Sequence, residues 1–141
     1  MKMPKEELIT FDTANLAKQK GYNIPTKHYF EDLTDCIFSE ENKEGSIFEC
    51  RFDHPNIYAR PTQSELKTWL RTQKQIFVEV QTDCTTAPKF CFTIDKFIGN
   101  PFDLSEREWS WYHHKEFEWF LYRRYEEALE EGLKESLRII R

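Results

Sequence analysis

Between Tyr125 and Ile140 the apolar and small residues recur at the spacing of one helix face, and no other stretch constrains the fold as strongly. Tyr125, Ala128, Leu129, Gly132, Leu133, Ser136, Leu137 and Ile140 fall three or four residues apart, which at about 3.6 residues per turn stacks them in a single stripe. The opposite side carries Glu126, Glu127, Glu130, Glu131, Lys134, Glu135, Arg138 and Arg141. Acids lead and bases trail, the order that complements the helix dipole. A helix of this length is marginal alone in water, so its stripe must cover a core. Gly132 costs about 1 kcal/mol of helix propensity relative to Ala, and its place on the stripe points to close approach of another backbone.

The chain has the material for that core. Its 141 residues fit one domain, and 12 Phe, 6 Tyr and 4 Trp are too much apolar surface for a solvated coil. A net charge of -5 works against binding to nucleic-acid phosphates, which normally calls for a basic balance or patch. The first residues, Met1 to Glu7, place no apolar signal core behind their positive charges. No apolar run reaches bilayer length. A cytoplasmic protein is therefore expected, with Cys36, Cys50, Cys84 and Cys91 as reduced thiols rather than a disulfide framework.

Punctuation along the chain suggests the other elements. Phe11 to Tyr22 reads as a short helix, capped by Thr10 or Asp12 and ended by Gly21 in a left-handed conformation. Pro25 opens an extended stretch through Tyr29 and Phe30, and Glu40 to Gly45 reads as an acidic loop. Ser46 to Phe52 alternates like a half-buried strand, and Asp53-His54-Pro55-Asn56 is turn chemistry. Thr62 with Glu65 forms a capping box ahead of Leu66, Trp69 and Leu70, a core-facing stripe on a second helix. Ile76–Val80 and Phe90–Ile94 are rich in β-branched and aromatic residues and suggest a hairpin around a turn at Thr82–Pro88.

Residues 105–122 support two readings. Phe117, Leu121, Tyr125 and Ala128 keep helical spacing, which starts the last helix near Glu116; Trp109 and Trp111 alternate like a strand, which instead gives a second hairpin turning at His113-His114-Lys115-Glu116. The fold class expected is α+β in one domain over 1–141. A small antiparallel sheet would be packed by helices near 62–73 and 116–140, with a short N-terminal helix near 12–20. Residues 1–60 would supply that helix, loops and a strand, and residues 61–141 an α-β-β-α core.

Three blocks of this chain form a recognisable set: Phe11 to Tyr22 followed by Pro25 and Tyr29-Phe30, Pro61 to Arg71, and Tyr125 to Leu137. Together they resemble a family of small uncharacterised proteins of Bacteroidetes phages, prophages and mobile elements. The resemblance covers a quarter to a third of the chain and implies a phage or prophage accessory protein in a bacterial host cytoplasm. It implies no activity and no site. Family members tend to place a small capping residue before the tyrosine of the last block, whereas here Arg123-Arg124 precede Tyr125. That departure favours an upstream extension of the closing helix.

Candidate chemistry is sparse. Cys50 and His54, with His28, Cys36, Cys84 or Cys91 as partners, lack the paired close spacing of zinc ligands, so the cysteines read as small core residues and no metal or cofactor is expected. His113-His114 beside Trp111 and Tyr112 offer a base or a stacking platform, yet no nucleophile or paired carboxylate can be tied to them. Lys67, Arg71 and Lys74, with Arg123-Arg124, are the candidate basic patch. The helix-strand-strand-helix order from Pro61 is similar to that of double-stranded-RNA-binding domains, but Glu126-Glu127 give the last helix an acidic start where those domains are basic. Aromatic and arginine side chains are the usual anchors of protein interfaces. The interaction candidates are therefore Trp109, Trp111, Tyr112, His113, His114, Arg123 and Arg124, for a protein partner or self-association. Nucleic acid is the lesser alternative and an enzyme comes third; no membrane or small-molecule ligand is inferred.

Overall fold

A computed structural model of the chain describes residues 7–24, 26–33, 36–41, 56–83, 89–98, 110–114 and 121–140. Their architecture is α+β, with helices α1 (Phe11–Gln19), α2 (Gln63–Lys74) and α3 (Tyr125–Ile139). The strands form two antiparallel sheets rather than the one expected. The first orders β2 (Cys36–Glu41), β1 (His28–Leu33) and β3 (Ile57–Arg60); the second orders β4 (Ile76–Asp83), β5 (Lys89–Ile98) and β6 (Ser110–His114).

β1 takes up the extended stretch expected through Tyr29 and Phe30, whereas β2 and β3 lie where no strand is expected. Glu40 and Glu41, expected in a loop, close β2 opposite Tyr29 and His28. Charged residues obscure a strand from its composition, yet they suit an edge strand, where they discourage pairing with another chain. The alternating segment Ser46–Phe52 lies outside the described residues.

The second sheet follows the expected hairpin, with longer strands that include Thr82 and Asp83. Val78 stands opposite Ile94 and Val80 opposite Phe92, so these side chains share one face. α3 covers that face. An added Cβ on Gly132 would lie 2.7 Å from Val78 Cγ1 and 3.1 Å from Phe92 Cγ. The close approach inferred from Gly132 is therefore real, but it is to side chains of the sheet and not to a backbone.

β6 decides between the readings of residues 105–122 over the part described. His113 pairs with Asp95 and His114 with Ile94, so both histidines lie within a strand and not in a hairpin turn. The start of the last helix near Glu116 is also corrected. Tyr122 exchanges backbone hydrogen bonds of 2.7 and 2.8 Å with Phe90, and its backbone groups cannot serve a helix and a sheet at once. Arg123 and Arg124 make the bend, Arg124 is the extended N-cap residue, and α3 begins at Tyr125.

Local signals set the other helix ends. Around α2, the Glu65 amide donates to Thr62 Oγ1 at 3.1 Å and the Thr62 amide donates to Glu65 Oε1 at 3.2 Å, the expected reciprocal cap. α2 ends on Gln75, a non-glycine residue at φ 54°. α1 ends at Gly21 (φ 95°), which turns the chain so that the Tyr22 amide donates to the Ala17 carbonyl at 2.9 Å. Leu66, Leu70, Val78, Phe92, Leu133 and Leu137 form the centre of one core cluster, joined by Ile9, Ala14 and Ala17 from the N-terminal side. Each fully buried Leu contributes about 1.5–3 kcal/mol. Among the described residues no helix is long and apolar enough to cross a membrane.

Candidate interaction surface

An extended strap, Glu7 to Thr10, runs across the start of α2 before the chain enters α1. The Gln63 amide donates to the Glu7 carbonyl at 2.9 Å, and the Ile9 amide donates to the Pro61 carbonyl at 3.1 Å. Ile9 is fully buried, so an apolar anchor and backbone bonds hold the strap together. Arg60 adds a side-chain bond, its Nε donating to the Ile9 carbonyl at 2.9 Å while its guanidinium lies 4.5 Å over the Phe30 ring. Burial lowers the Arg60 pKa, and the nearby Glu130 and Glu7 carboxylates oppose that shift.

Under the strap lies Glu130. The helical pattern puts it on the polar side of α3, but it is 8% exposed. Its Oε1 accepts from the Thr10 amide at 2.5 Å and from the Thr13 hydroxyl at 3.0 Å, and its Oε2 accepts from Gln63 Nε2 at 3.3 Å. Thr10 is the N-cap residue of α1 but its side chain makes no cap bond. A carboxylate from α3 therefore sits at the N-terminal end of α1, where exposed amides and the helix dipole favour negative charge. One side chain ties α3 to α1 and α2. The available signal was spacing: Glu130 precedes Leu133 by three residues and Leu137 by seven, which puts it at the margin of the stripe.

Above this network opens a cleft of about 350 Å³ whose lining includes Glu7, Gln63, Tyr122, Arg124, Glu126 and Glu131. Five glutamates and one arginine line it in all, so its potential is negative, favouring cations and disfavouring phosphates. Arg124 Nη2 is 3.6 Å from both Glu7 Oε2 and Glu126 Oε2, with all three side chains substantially exposed. Solvent screening makes such pairs weak, about 0–1 kcal/mol each. The Tyr122 ring stacks on Phe92 with centroids 6.1 Å apart. Burial first, then Glu131 and Glu135, push its hydroxyl pKa above the ordinary value.

The interaction candidates divide across this region. Arg123 and Arg124 are exposed at the bend before α3, flanked by Leu121 and Tyr125, each 43% exposed. Leu121 and Tyr125 thus do not continue the buried stripe upstream; the Tyr125 ring instead meets Phe90 edge-on at 6.2 Å. Trp111, Tyr112, His113 and His114 belong to β6, where Trp111 pairs with Phe97 and Tyr112 with Lys96 through the backbone. Trp109 lies outside the described residues.

The basic candidates Lys67, Arg71 and Lys74 lie on α2, and Arg123 and Arg124 at the bend before α3. Lys67 is 3.4 Å from Glu79, Lys74 lies 5.5 Å over the Trp69 ring, and Arg71 is exposed. Of the cysteine–histidine set, Cys91 is buried in β5, Cys36 and His28 fall in different strands, and Cys50, His54 and Cys84 lie outside the described residues. Among the described residues no group of three or more His, Cys, Asp or Glu is placed to hold a metal ion. No family model, curated protein or solved structure matches the chain.

Proposed function

We propose that this chain is a non-enzymatic phage or mobile-element accessory protein that works in a bacterial cytosol by binding another protein, a second copy of itself included. The phage context rests on the resemblance of the three sequence blocks. The binding role rests on one observation: Leu121 and Tyr125, each 43% exposed, flank the exposed Arg123 and Arg124. Large apolar side chains beside arginines make a surface that a protein can desolvate with gain, and Tyr and Arg are over-represented among residues that dominate interface energies.

A nucleic-acid-binding module is the second reading, favoured by the order α2-β4-β5-β6-α3, which is similar to that of double-stranded-RNA-binding domains. The glutamates at the start of α3 weigh against it, because they would repel the phosphates such a helix contacts. Affinity capture from host lysate, with and without nuclease, separates the two. The protein reading expects a nuclease-resistant partner that is lost with Tyr125→Ser and Arg124→Ser, both folded by circular dichroism. Light scattering after size exclusion tests self-association. Nuclease-sensitive recovery of nucleic acid without a protein partner, from a chain that stays monomeric, refutes the protein reading.

A further inference from the structure

We draw no further inference here: the strongest candidate, the acidic cleft between the N-terminal strap and the first turns of α3, is a cluster of carboxylates whose one deeply buried member, Glu130, is already engaged by Thr10, Thr13 and Gln63, and nothing in the structure shows what covers it.

Discussion

Replacing Glu130 tests the packing around α3 most directly. Glu130→Ala leaves three donors without their carboxylate: the Thr10 amide, the Thr13 hydroxyl and the Gln63 side-chain amide. Each buried donor stripped of its partner costs about 1–3 kcal/mol. Two partners here have local relief. The Thr13 hydroxyl is 3.2 Å from Thr10 Oγ1, and Gln63 Nε2 also donates to the Glu126 carbonyl at 2.9 Å. The expected loss is therefore about 3 kcal/mol, from the lower part of each range plus a charge-assisted bond to the Thr10 amide. Glu130→Gln keeps one oxygen for Thr10 and Thr13 but turns the other acceptor into a donor facing Gln63, at a cost of about 1–2 kcal/mol. Glu131→Ala is the control. Its pair with Lys134, 3.5 Å apart and partly exposed, should be worth under about 0.5 kcal/mol. Urea unfolding followed by tryptophan fluorescence reads the series. At a slope of about 2 kcal/mol per M, Glu130→Ala should lower the midpoint by roughly 1.5 M. If Glu130→Ala loses no more than Glu131→Ala, the bonds from Thr10, Thr13 and Gln63 to Glu130 do not tie α3 to α1 and α2.

Three further outcomes follow from the same geometry. Gly132→Ala should destabilise by about 1 kcal/mol, because overpacking against Val78 and Phe92 outweighs the helix propensity gained; a variant more stable in urea would refute the contact. Gln75→Gly should raise stability by about 1 kcal/mol, since Gly relieves the left-handed strain at φ 54° that ends α2, and a fall in melting temperature would count against it. Tyr122→Phe should flatten the alkaline limb of the stability profile. The raised pKa of Tyr122 means that its stabilising effect is fully present below the unfolded value of about 10 and is lost as pH rises through the higher folded value; parallel wild-type and variant curves from pH 9 to 11 would contradict that.

What the sequence disclosed depended on whether a residue's role was set locally. The Thr62 capping box, the left-handed turn at Gly21 and the hairpin of Ile76–Val80 with Phe90–Ile94 depend on neighbours in sequence or on strand alternation, and each appears in the structure. Glu130 depends on Thr10, some 120 residues away, and no helical period reveals such a partner. The start of α3 is hidden from the sequence for a related reason. Leu121 and Tyr125 keep the spacing of the stripe, but Tyr122 is committed to Phe90 by two backbone bonds, and that pairing keeps α3 from reaching back through Tyr122. The same bridge sets the candidate surface. Tyr122 stands opposite Phe90 of β5 in an isolated antiparallel bridge. Because Tyr122 pairs with β5 and the chain bends at once into α3, Arg123 and Arg124 fall at the bend and Leu121 and Tyr125 are exposed beside them. Tyr125 opens α3 one turn before Ala128 and is still 43% exposed, so the buried stripe begins at Ala128. The arginines in place of a capping residue thus mark the point where a sheet hands the chain to a helix, and that junction is what exposes them.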